Sequence, residues 1–209
     1  EEIDPEYQNI LSKYRNKNTI DWRSLSFSNG LSENFIRRFK NDLNWISISS
    51  VQILSEEFIE ELIEFIDWKE ISYTQDLSEK FMDKHKDILH WRYASLHQTM
   101  SEEFIEKHEK YVDWGAIESS QKLSIGFIRK HIDRMKLLYI SMYQELPEEF
   151  INEFINDLNI NVYSLAKYQE LSGSFIEKHS DDVDWGYIST NQFLSEEFME
   201  RNFDKINWI

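Results

Sequence analysis

The chain has 209 residues, a formal net charge of −16, an isoelectric point near 4.8 and no cysteine. That charge argues against binding to nucleic-acid phosphates or anionic membranes, and the lack of thiols excludes a disulfide framework and thiol chemistry. Only two prolines and five glycines occur, which favours helices joined by short turns.

Residues 1–30 read as a degenerate capping repeat. Asp4 and Pro5 suit the N-cap and first turn of an opening helix. Ile20, Asp21, Trp22, Leu25, Ser26 and Asn29 match the second half of a pattern that recurs downstream, which puts the start of this repeat near Gln8. Terminal repeats of an array commonly diverge in this way.

The full pattern begins at Leu31 and restarts at Leu54, Leu77, Met100, Leu123, Leu146, Leu171 and Leu194, at intervals of 23 residues except for 25 between Leu146 and Leu171. Each starting Leu or Met is position 0. Position 1 is Ser, or Pro147 in one repeat, and Glu often follows it. That is a helix N-cap with charges suited to the positive end of the helix dipole. The apolar residues at positions 0 and 5 have hydrophobic-staple spacing. Positions 4, 5, 8 and 12 make an apolar stripe, so a first helix, helix A, begins here. Asp or Asn at position 13 is a second N-cap, and helix B starts near position 14 with Trp, Ile, Ser and Gln at 14, 17, 18 and 21 on its inner face. Helices this short are marginal alone and need stacked neighbours.

Repeats 31–53, 54–76, 77–99 and 100–122 are regular. Repeat 123–145 has Leu137 in place of Trp. Repeat 146–170 has Ile160 there and carries two extra residues, expected between Ser164 and Gln169, in or after helix B. Repeat 171–193 is regular again. The last, 194–209, is incomplete and stops where helix B would begin. Together they predict one all-α domain, an α-solenoid of about eight helix-turn-helix repeats.

All seven tryptophans share position 14 and read as packing anchors between repeats. His85, His108, His131 and His179 share position 8, which Phe39, Leu62, Phe154 and Asn202 hold elsewhere; interchange with Phe and Leu marks packing rather than a pH sensor or a metal site. Gln52, Gln75, Gln98, Gln121, Gln144, Gln169 and Gln192 recur at the end of helix B, where an amide can satisfy turn backbone. Ser at position 18 allows helices to approach closely. No phosphate-binding glycine loop or nucleophile elbow is present, so the expectation is no enzyme, no cofactor and no metal.

Helix B carries few charges at its variable positions and many large side chains. In two-helix solenoids one helix of each repeat lines the concave surface, the usual binding face. Tyr73, Tyr93, Leu96, Leu138, Tyr139, Met142, Tyr143, Tyr163, Tyr168 and Tyr187 are therefore the expected partner-binding residues, and Tyr and Met suit an interface.

The unit LSEEFIEKHxxxVDWxxISxxQ, present with small changes at 100–121 and 171–192, resembles short tandem-repeat proteins of mimivirus-like giant viruses, with similar repeats in some phage and bacterial proteins. The resemblance implies a repeat scaffold of viral origin and carries over no catalytic residue. The expected function is a non-enzymatic scaffold that binds a host or defence protein through the helix B row and blocks or recruits it. One alternative is an acidic, nucleic-acid-mimicking decoy for a basic host or defence protein; another is a structural protein that self-associates through Leu194–Ile209. No apolar run approaches a transmembrane helix and no signal peptide is visible, which reads as a cytoplasmic protein.

Overall fold

A computed structural model of the chain describes residues 5–16, 19–155 and 162–208. The fold is an all-α helical-repeat solenoid, with one small exception near the N-terminus. Contact between residues divides it into two compact bodies, Glu1–Val112 and Asp113–Ile209.

The first body opens with α1 (Pro5–Lys13), then a hairpin of β1 (Arg15–Asn16) and β2 (Thr19–Ile20), then α2 (Trp22–Ser26). Regular pairs follow: α3 (Glu33–Arg38) with α4 (Trp45–Val51), α5 (Glu56–Glu61) with α6 (Trp68–Thr74), and α7 (Glu79–Lys84) with α8 (Trp91–His97). α9 (Glu102–Lys107) ends this body. The second body contains α10 (Trp114–Ser120), α11 (Ile125–Lys130), α12 (Leu137–Tyr143), α13 (Glu148–Phe154), α14 (Val162–Tyr168), α15 (Gly173–Lys178), α16 (Trp185–Asn191) and α17 (Glu196–Arg201).

Local chemistry sets these bounds. Ser32, Ser55, Ser78, Ser101, Ser124, Ser172 and Ser195 each accept from the backbone N–H at position 4, as N-caps. Pro147 makes no such bond. In the regular repeats helix A is shorter than its apolar stripe suggests. It stops at position 7, and a turn brings the position 12 N–H back to the position 8 carbonyl, as from Leu89 to His85 at 3.0 Å. The turn is needed because position 13 must be extended to cap helix B. Asn44, Asp67, Asp113 and Asp184 do so, accepting from the N–H at position 16, whereas His90 and Lys136 provide no cap.

The core is built from positions 0, 4, 5, 12 and 17, of which 5 and 17 are the most deeply buried. Phe at position 4 and Ile or Met at position 5 of helix A are buried, as is the position 17 residue of helix B, and Phe58, Ile59 and Ile71 are fully buried examples. Successive B helices pack on each other, α2 to α4 to α6 to α8 in the first body and α10 to α12 to α14 to α16 in the second.

The first repeat departs from the expected frame. Its helix α1 begins at Pro5, the first-turn residue expected of an opening helix, but a hairpin takes the place of the A–B turn. The extra pair of residues in repeat 146–170 also lies elsewhere than expected. α14 has the usual seven residues and runs straight into Gln169, so helix B holds no bulge and the insertion precedes it. Leu165 therefore takes the buried position 17 and Ala166 position 18. Ile160 lies outside the described residues.

Candidate functional site

The same polar contacts join each repeat to the next, and they determine which faces are left free. The Gln52, Gln75 and Gln98 carbonyls accept from the N–H of Leu31, Leu54 and Leu77 at 2.9–3.0 Å, closing each repeat on its own start. Their amide nitrogens donate backward: Gln75 to the carbonyls of Gln52 and Ser49, Gln98 to those of Gln75 and Ser72. Gln144, Gln169 and Gln192 repeat the arrangement in the second body.

Position 18 contributes a second link. Ser26, Ser49 and Ser72 hydroxyls accept from the N–H of Asn44, Asp67 and His90 in the next repeat at 2.8–3.0 Å. In the second body Glu118 stands in for Ser and accepts from the Lys136 N–H at 2.6 Å. Glu118 is buried, and burial pushes its carboxyl above the usual range. On helix A, Glu33, Glu56 and Glu79 accept from the N–H of the next repeat's capping serine, as does Glu148 with Ser172.

Five of the tryptophans are half-buried, while Trp91 is buried and Trp208 is exposed. Trp68 lies 6.1 Å from Phe81 and 5.0 Å from His85 of the next repeat, and Trp91 meets Phe104 and His108 in the same way. The indole N–H groups of Trp45, Trp91 and Trp185 donate to the position 9 carbonyl of their own repeat. The position 8 histidines are packing residues: His85, His108 and His131 are buried between a Trp and a Phe. Burial depresses the pKa of His108 and of His179. Among the described residues, no group of three or more His, Cys, Asp or Glu is arranged to hold a metal ion.

The exposed side chains of helix B include several large aromatic and aliphatic residues. In the first body Tyr73 stands edge-on to Tyr93 at 5.6 Å and to His97 at 4.2 Å, and Lys69 lies 5.7 Å over the Tyr93 ring. Leu96 is exposed on α8 beside them in sequence. In the second body Leu138, Tyr139, Tyr143 and Tyr168 are all exposed. Lys136 lies 5.4 Å over Tyr139, and Lys167 lies 4.9 Å over Tyr168. The bond to Tyr168 holds the Lys167 ammonium above its ordinary pKa. Tyr93, Met142 and Tyr187 are half-buried, and the Tyr163 side chain lies outside the described residues.

Other exposed apolar residues join this set. Phe27 and Ile46 line a groove with Arg23, Asp42 and Asn44 in the first body. Ile53 and Phe193, both at position 22, are 97% and 98% exposed, so neither contributes to the core. Phe27 and Ile46 occupy the same variable helix B positions as Tyr73 and Leu138, and they are not among the expected partner-binding residues.

Charge is segregated between the two helices. From position 14 to 22 of all repeats there are five basic residues (Arg23, Lys69, Arg92, Lys122, Lys167) and five acidic ones (Glu70, Asp76, Glu118, Glu145, Glu170). The whole net charge of −16 is therefore carried outside helix B and the turn after it. No described helix is long and apolar enough to cross a membrane.

Together these features define an all-α helical-repeat solenoid with a charge-balanced, aromatic helix B row. No protein-family model, curated protein or solved structure matches the chain.

Proposed function

We propose that the chain is a non-enzymatic scaffold that binds a protein partner through helix B. The observation that carries this reading is the exposed group Leu138, Tyr139 and Tyr143 on α12. Large aromatics on a charge-balanced surface are the composition of a protein interface core. The hydrogen bonds described between repeats do not use these side chains. The resemblance to giant-virus repeat proteins supports a host or defence protein as the partner, met in the cytoplasm and blocked or recruited there.

The test is capture from a nuclease-treated cell lysate at high salt, using the chain and its Tyr139→Ala/Tyr143→Ala variant. The reading requires a partner held by the first and lost by the second, with helicity unchanged. A captured set that is the same for both proteins contradicts it.

Segregation of the charge favours a second reading, the decoy. Glu57, Glu103, Glu149 and Glu197 are all exposed at position 3 of helix A, opposite in character to the tyrosine row. A basic partner that salt elutes and DNA displaces would support that reading instead. Recovery of the bait alone, as a concentration-dependent oligomer, would favour self-association through Leu194–Ile209, where Phe203 and Trp208 are exposed.

A further inference from the structure

Most contacts between neighbouring repeats are the same at every joint, so they cannot tell one joint from another. Positions 6, 7 and 8 of helix A are different. We infer that they form a charge key that sets which repeat accepts which neighbour.

Two kinds of joint occur. In the first kind, position 6 is acidic or an amide, and the next repeat presents a base at 7 and His or Asn at 8. Glu60 accepts from Lys84 at 2.6 Å and lies 2.7 Å from His85 Nε2. Asp83 accepts from Lys107 at 2.9 Å and lies 3.1 Å from His108 Nε2. Asn152 meets Lys178 at 2.7 Å and His179 at 3.1 Å. Glu177 meets Arg201 at 3.0 Å and Asn202 at 3.3 Å.

In the second kind, position 6 is Arg, and the next repeat presents Glu at 7 and an apolar residue at 8. Arg37 donates to both Glu61 oxygens at 2.7 Å, with its guanidinium 5.2 Å over Phe58, and position 8 is Leu62. Arg129 pairs with Glu153 and lies 5.1 Å over Phe150, and position 8 is Phe154. These six joints follow the rule, and each body contains one Arg joint.

Three positions change together because they share one environment. Position 8 is largely buried beside position 6 of the repeat before it, so an imidazole there suits an acid or amide and would be desolvated against a guanidinium. Skipping repeat 54–76 would set Arg37 against Lys84 and His85. Skipping repeat 146–170 would set Arg129 against Lys178 and His179. Like charges placed this way reject a wrong partner while leaving the right one untouched. The key thus fits a neighbour of stated chemistry, in the same chain or in a second copy, and marks one joint in each body against slippage.

The experiment is a double-mutant cycle on Arg37→Glu and Glu61→Arg in the full chain, read by denaturant midpoint and by light scattering after refolding. Each single change should lower the midpoint and raise the oligomer fraction. The double change should recover both, with coupling of about two- to fivefold in the folding constant, as expected for an exposed ion pair. If a single variant fails to fold, the double variant must still fold. A double variant as impaired as the sum of the singles, or singles that refold as the parent does, overturns the inference. Glu60→Arg/Lys84→Glu/His85→Leu, which converts a joint to the Arg kind, should fold better than Glu60→Arg alone; equal or worse folding counts against the key.

Discussion

The Gln75 side-chain carbonyl accepts from the Leu54 backbone N–H at 2.9 Å, while its amide nitrogen donates to the carbonyls of Gln52 and Ser49 in the previous repeat. One side chain thus closes its own repeat and fastens it to the one before. Gln75→Ala leaves these buried groups without their partner, and an unsatisfied buried polar group costs about 1–3 kcal/mol. The prediction is a loss of about 2 kcal/mol or more in urea unfolding. Asn29, which holds the equivalent place in the first repeat, is exposed, so Asn29→Ala should change little.

His90 sits at a helix start without capping it, whereas Asp67 in the previous repeat caps the same place. His90→Asp should gain about 1 kcal/mol, the usual worth of an N-cap. Lys136→Asp should gain less, because the new carboxylate meets the buried Glu118 that accepts from the Lys136 N–H. Thermal melting of the two variants checks the contrast.

Glu118 is a buried carboxylate where most repeats carry Ser. Burial raises its folded pKa above the ordinary 4.5, so the folded chain holds that proton more tightly than the unfolded chain. The stabilisation is full below the unfolded value and is lost as pH rises through the folded one. Glu118→Ser, whose hydroxyl can still accept from Lys136, should therefore stabilise the chain at neutral pH and do so less near pH 4.5. Midpoints measured at both pH values show this difference or exclude it.

His108 has the opposite sign. Burial lowers its pKa below the ordinary 6.5, an effect larger than the pull of Asp83. Protonation is thus harder in the folded chain, and stability falls as pH drops below the unfolded value. His108→Phe, the residue that Phe39 and Phe154 supply at this position, should flatten the acid limb of the stability profile. A profile unchanged by the substitution contradicts the assignment.

Much of this architecture is legible in the sequence because each repeat states its own boundaries. Ser at position 1 and Asp or Asn at position 13 are local signals; the serines act as caps, and so do Asp21, Asn44, Asp67, Asp113 and Asp184. The Gln ladder is visible as a recurrence, but its backward bonds to the previous repeat depend on stacking, which no local pattern encodes. Placing the insertion after Ser164 fails for the same reason: Gln169 is held in register by Leu146, so the extra residues must be accommodated before helix B. The hairpin at 15–20 has no counterpart in the repeat frame. On the helix B row, Tyr73, Leu138, Tyr139, Tyr143 and Tyr168 are open, whereas Tyr93 and Tyr187 are partly covered. Position along the helix tells which side a residue faces, and neighbouring side chains decide how much of it is covered.

The proposed reading places recognition on the exposed side chains of helix B and not on the charged face of helix A. A photo-crosslinking phenylalanine analogue placed at Tyr139, and separately at Glu149, tests it most directly in a nuclease-treated lysate. The account predicts a discrete crosslink to a foreign protein from Tyr139 and none from Glu149. Crosslinking from Glu149 with silence at Tyr139 would contradict it and move the binding face to helix A.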